Sequence, residues 1–213
     1  MTTTPYSPLE ELCHALSHGI GAILSVVGLI LMLQLAVVSD DNWYFISSIV
    51  YGCSLILLYS SSTLYHAVSH VAIKHKLRQL DHAAIFILIA GTYTPFTLIN
   101  LRDNWGLPLF TLIWTIALAG VFIELATKLK YKKLSLALYL GMGWLVIVAI
   151  QPMLNNVATG GLLLLLAGGL SYSFGVIFYI WKRLFLHHAI WHLFVLAGSV
   201  CHFLAVYFYV LSK

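Results

Sequence analysis

Seven apolar stretches of roughly twenty residues, parted by short gaps that hold nearly all the charge, leave this 213-residue chain little choice of solvent. A helix needs about 20 apolar residues to cross about 30 Å of hydrocarbon. Within lipid its backbone groups must be satisfied by the helix itself. The stretches lie at about 17–38, 43–66, 81–101, 105–126, 133–152, 158–181 and 190–211. The chain is 61% hydrophobic and only 8% charged, against about half and a quarter in soluble domains, so no soluble domain, linker or low-complexity segment is left over. The expectation is an all-α membrane protein, a seven-transmembrane-helix bundle occupying residues 1–213 as one domain. Pro95 and Pro108 predict kinks that partner helices can accommodate. Ala167, Ser171 and Gly175 form a row of small residues that predicts close helix contact in the sixth span.

Charge sets the expected orientation. Lys74, Lys76 and Arg78 follow the second span, Lys128, Lys130, Lys132 and Lys133 the fourth, and Lys182 and Arg183 the sixth; the opposite side has Arg102 and the terminal Lys213. Positive residues collect in cytoplasmic loops, so the N-terminus is expected in the cytoplasm and the C-terminus outside. The net charge of +4 lies in these gaps rather than along one polar face, and no nucleic-acid partner is implied. Before the first apolar run, Met-Thr-Thr-Thr-Pro-Tyr-Ser-Pro lacks a basic residue, which argues against a cleaved signal peptide. Cys13, Cys53 and Cys201 are odd in number and widely spaced, and read as packing residues rather than a disulfide framework.

Ionisable residues in membrane helices cost free energy, so the few present are informative. Ser62-Thr-Leu-Tyr-His66 ends the second span, Asp81-His82 opens the third and His188-Ala-Ile-Trp-His192 opens the seventh, all at one membrane edge. His188 and His192 are four apart and share a helix face, the spacing with which one helix offers two imidazoles to one ion. His66, at matching depth, is the candidate third ligand. Three neutral imidazoles suit zinc and leave its fourth tetrahedral position to water, although other first-row ions also accept imidazole. Asp81 can act as base toward that water, and Ser62, one turn from His66 on the same face, can orient it. Interfacial histidines satisfied by backbone carbonyls are the plainer alternative.

The remaining polar residues read as less specific. Glu10, Glu11, His14 and His18 are expected to be interfacial. His202 is about 15 Å deeper than His192 along a helix, too far for the same ion, and is expected to be an interior hydrogen-bonding group. His70, His75 and His187 are expected in loops or at the interface, Glu124 is expected to pair with Lys128, and Trp43, Trp105, Trp181 and Trp191 are expected in an interfacial belt.

Four motifs, in order, then carry a resemblance over essentially the whole chain. They are Glu10-Glu11-Leu-Cys-His14-Ala-Leu-Ser-His18-Gly, Ser62-Thr-Leu-Tyr-His66, Asp81-His-Ala-Ala-Ile-Phe leading into Gly91-Thr-Tyr-Thr-Pro-Phe96, and His188-Ala-Ile-Trp-His192 followed by Gly198-Ser-Val-Cys-His202-Phe. The sequence resembles the bacterial hemolysin III proteins, relatives of the progestin and adipoQ receptors and of the alkaline ceramidases. That resemblance implies a cytoplasmic-side zinc held by His66, His188 and His192, with Ser62 and Asp81 beside the metal-bound water. One departure is visible: His14 stands where relatives commonly have asparagine.

The expected function is membrane-lipid homeostasis in the bacterial cytoplasmic (inner) membrane, through zinc-dependent hydrolysis of a lipid amide or ester, with membrane lipids as partners and a lipid as substrate or ligand. The alternative is a non-catalytic sensor or receptor-like protein with a structural zinc. Pore formation is a minor alternative, because no polar stripe runs through several spans.

Overall fold

The computed structural model describes residues 6–212; residues 1–5 and Lys213, with the leader reading and part of the charge count that rest on them, lie outside. Seven helices are long and apolar enough to cross a membrane: α1 (Pro8–Ala36), α2 (Asn42–Ala67), α3 (Val71–Asn100), α4 (Gly106–Thr127), α5 (Lys132–Asn156), α6 (Thr159–Ile180) and α7 (His187–Leu211). Among the described residues there is no strand. Consecutive helices pack side by side, and α7 returns against α1, closing a ring in which α3 is the most buried member.

Two helices start well before their expected spans. Ser7 and Glu10 form a reciprocal cap, with the Ser7 amide donating to Glu10 Oε2 at 2.8 Å and the Glu10 amide to Ser7 Oγ at 3.3 Å. This arrangement satisfies two amides that would otherwise lack partners, so α1 begins at Pro8 rather than near residue 17. Glu10 is therefore a capping residue. Likewise α3 begins at Val71, ten residues before Asp81. Lys, His and Arg in its first turns suppress hydropathy without disfavouring helix, so a hydropathy scan misses them.

The proline expectations hold in part. The α-helical part of α3 ends at Pro95 and continues as a wider turn over Phe96–Asn100, the hydroxyl of Thr97 donating to the Tyr93 carbonyl at 3.1 Å. Pro108 lies in the first turn of α4, where a missing amide hydrogen costs nothing.

Polarity runs inside out, as it does when lipid is the solvent. On α1 the residues His14, His18, Gly21, Ser25, Gly28 and Met32 point inward, while Leu16, Ile23 and Ile30 are exposed. Buried hydroxyls pair across helices: Tyr59 of α2 donates to Ser199 Oγ of α7 at 2.7 Å, and Tyr172 of α6 meets the same oxygen at 2.7 Å. At the end carrying the α1–α2 and α3–α4 loops, Arg102 pairs with Asp41 at 2.6 Å and lies over the Trp43 ring.

Small residues bring α6 and α7 together, but not the full row expected. Ala167 is exposed and takes no part. The contact is made by Gly168, Ser171 and Gly175. A Cβ on Gly168 would collide with the His202 ring and stand 3.0 Å from the Gly198 carbonyl oxygen, while Ser171 Oγ donates to the Phe194 carbonyl at 2.8 Å. Gly168→Leu is therefore expected to force α6 from α7 and cost about 1–3 kcal/mol, as overpacking does. Gly143→Ala, with open space around it, should be close to neutral. Thermal unfolding in detergent compares the two.

Candidate metal centre

Helix α2 ends in Tyr65-His66-Ala67 and α7 opens with His187-His188, and ring closure sets these ends against the first turns of α1. One donor atom from each of His66, His188 and His192 lies within 4.8 Å of the others. His66 and His192 are buried, and the ring centroids stand 5.4 Å (His66–His188), 5.2 Å (His66–His192) and 4.6 Å (His188–His192) apart.

Hydrogen bonds orient two of these rings. Nδ1 of His66 meets Glu11 Oε2 at 2.6 Å, which leaves Nε2 buried and without a partner. Nδ1 of His192 is satisfied by the His14 carbonyl at 3.3 Å and by Ser17 Oγ at 3.1 Å. His188 has a buried Nδ1 without a partner. A nitrogen left free by an outward hydrogen bond on the other side of the ring is how metal-bound histidines are held, and orphaned buried nitrogens are costly unless something binds them. The donor set suits a first-row divalent ion such as zinc.

Helix α1 contributes more than the interfacial groups expected of it. Glu11 touches His66 and also pairs with Lys74, whose Nζ is 3.1 Å from Glu11 Oε1. Lys74 is itself buried, donating to the carbonyls of Tyr65 at 2.8 Å and Val68 at 3.2 Å. It caps the C-terminal end of α2, where a cation is favoured, and is not a free loop charge. His14 and His18 are buried as well; the His18 ring stacks on His192 at 3.5 Å. His14-x-x-x-His18 repeats the spacing of His188-x-x-x-His192, and that signal could have found them. Tyr6 lies over the cluster, stacked on His188 at 5.3 Å and edge-on to His14 at 4.8 Å. Burial raises its phenol above the ordinary range, so the hydroxyl stays neutral.

Ser62 and Asp81 line a largely apolar cavity together with His18, His188 and His192. Asp81 comes from the third turn of α3, not its opening, and faces the buried Ser62 of α2. From the cluster the cavity runs along α7 as far as His202, past Tyr172 and Trp144.

Other polar residues fall as follows. His202 bonds the Leu165 carbonyl at 3.1 Å, an interior partner. His187 is buried, with Nδ1 3.0 Å from the Phe178 carbonyl, and is not a loop group. His70 and His75 are exposed. Glu124 does not pair with Lys128: it turns into the bundle and accepts from the Tyr139 hydroxyl at 3.3 Å, while Lys128 is exposed in a left-handed cap. Trp191 leaves the expected belt to line the cavity beside Tyr179, whereas Trp105 and Trp181 are exposed near helix ends. The three cysteines are free.

Comparisons with known proteins identify the family. The family described as haemolysin-III related matches residues 6–203. Hemolysin-3 of Bacillus cereus is 47% identical over 202 residues, covering 95% of this chain and 92% of that protein. The Hemolysin-3 homolog of Bacillus subtilis (strain 168) is 44% identical over 200 residues, 94% of each. The human monocyte to macrophage differentiation factor is 33% identical over 208 residues, covering 94% of this chain and 84% of that protein. With a family match spanning nearly the whole chain and relatives aligned over most of their length, this multi-pass membrane protein belongs to the haemolysin-III related family.

Proposed function

We propose that this protein is a zinc-dependent intramembrane hydrolase of a lipid amide or ester, with His66, His188 and His192 as metal ligands. The observation that carries the reading is the convergence of three histidines, each offering a donor nitrogen, at one end of an apolar cavity that also presents Ser62 and Asp81. A bound divalent ion would supply Lewis acidity, polarising a carbonyl and making water easier to deprotonate.

The other roles fall to the chain itself. Asp81, lining the cavity beside the buried Ser62, accepts a proton from water. Ser62 orients that water or the substrate carbonyl. The cavity reaches from His188 to His202, about 21 Å of helix axis, and its apolar walls accept an acyl chain while excluding water. The basic even-to-odd loops favour a cytoplasmic site and the bacterial relatives a bacterial membrane; hydrolysis of a lipid from the inner membrane would serve membrane-lipid homeostasis.

The test is hydrolysis of a panel of lipid amides and esters by purified protein, before and after chelation and after reloading with zinc. Activity that chelation removes and zinc restores is expected. A stoichiometrically loaded protein that cleaves none of the panel would overturn the reading.

A further inference from the structure

Three histidines suffice for the proposed site, yet a fourth imidazole stands among them. The ring centroid of His14 is 4.6 Å from that of His66, 4.9 Å from His188 and 5.4 Å from His192. Together with the three separations within the triad, all six distances among the four rings fall between 4.6 and 5.4 Å. That is the shape of a nearly regular tetrahedron. At metal–nitrogen distances of about 2.0–2.1 Å, four imidazoles on one ion place their centroids about 5 Å apart.

His14 is wholly buried, and neither of its ring nitrogens has a hydrogen-bond partner. No hydrogen bond therefore fixes the ring in its present orientation, and the cost of two orphaned buried nitrogens is relieved if one of them binds an ion. One of them already lies within 4.8 Å of donor atoms on His66 and Glu11.

The same grouping of Glu11, His14 and His66 would suit a second, separate ion, but the charges around it do not. The Lys74 ammonium is 3.1 Å from Glu11, and the Nδ1 of His66 is taken up by the same carboxylate. A second cation would have to displace both. One ion shared by four imidazoles requires no such rearrangement.

We infer that His14 is a fourth protein ligand, so that the metal rests in a four-histidine set supplied by α1, α2 and α7. His14 is not part of the cavity wall, whereas His188, His192, Ser62 and Asp81 are. Water and substrate would therefore reach the site from the cavity side. The inference rests on the metal-binding half of the proposed function and is independent of hydrolysis.

The test uses the full chain in detergent, loaded with cobalt(II) as a spectroscopic probe and with zinc for affinity measurement by chelator competition. His14→Asn and His14→Gln, two polar replacements of different reach, guard against one variant failing to fold. Loss of the fourth imidazole should weaken zinc binding at least about tenfold and alter the cobalt d–d spectrum of both variants, with zinc still bound at higher concentration. If both variants match the wild type in affinity and in spectrum, His14 is not a ligand, and the proposed hydrolase with three histidines stands. If the wild-type protein takes up no metal, this inference and that reading fall together. If it binds metal with a His14-dependent spectrum and cleaves no lipid, the inference holds and only the hydrolase reading falls.

Discussion

Asp81→Asn is expected to reduce lipid hydrolysis by about 10²- to 10⁴-fold, the usual contribution of a positioned general base, while leaving zinc stoichiometry unchanged. The separation of effects follows from geometry. Asp81 lines the cavity next to Ser62 and is absent from the histidine groups whose donor atoms converge, so in the proposed reaction it would handle protons without holding the ion. The substitution is nearly isosteric and keeps α3 intact, so thermal unfolding should shift little. Rates on a cleaved lipid, set against metal content for the same preparation, decide the matter. Loss of metal along with activity would move Asp81 into the ligand set, and unchanged activity would remove it from the chemistry.

Glu11→Gln should produce the largest combined loss of metal affinity and stability outside the ligands. Glutamine keeps one acceptor oxygen where the carboxylate has two, one for His66 and one for Lys74, so the His66 ring loses its charged acceptor, and weakening such an outer partner typically costs about 10- to 100-fold in metal affinity. The Lys74 ammonium is simultaneously deprived of its counter-ion at a buried position. Removing one partner of a buried ion pair costs about 3–5 kcal/mol. Here the carbonyls of Tyr65 and Val68 still hold the ammonium, and Glu11 is partly exposed, so the lower end applies. Glu11→Gln combined with Lys74→Met should restore stability without restoring affinity. Chelator competition and thermal unfolding of the single and double variants separate the two effects; recovery of both together would mean that Glu11 acts only through Lys74.

The contrast between Asp81 and Glu11 also marks what can be read from a linear sequence. The seven spans are legible because each depends on a local property, the summed transfer free energy of about twenty residues. The pair His188 and His192 is legible because a helix places residues four apart on one face. Glu11 and Lys74 are not legible in that way, and the four-residue spacing of His14 and His18 marks a shared face without naming the rings it meets. Each earns its role from a partner on another helix: Glu11 from His66, Lys74 from the end of α2, His14 from rings on α2 and α7. Hydropathy also misplaces the beginnings of α1 and α3, where capping and helix propensity continue the helix past the apolar run. Glu124 and Trp191 were misread for the related reason that a residue at a span edge can turn inward once a partner such as Tyr139 or Tyr179 waits there.

The closing of the ring by α7 against α1 has a consequence for how the protein is made. A chain emerging from the ribosome delivers Glu11 and His14 first, His66 about a third of the way along, and His188 and His192 only in its final helix. No nascent intermediate that lacks α7 holds more than one of the three triad histidines, so tight ion capture has to await the meeting of the first-made and last-made segments. A metal held by the proposed site would thus latch only a completed bundle, and a quality-control protease meeting an unfinished one would find its ends unlatched.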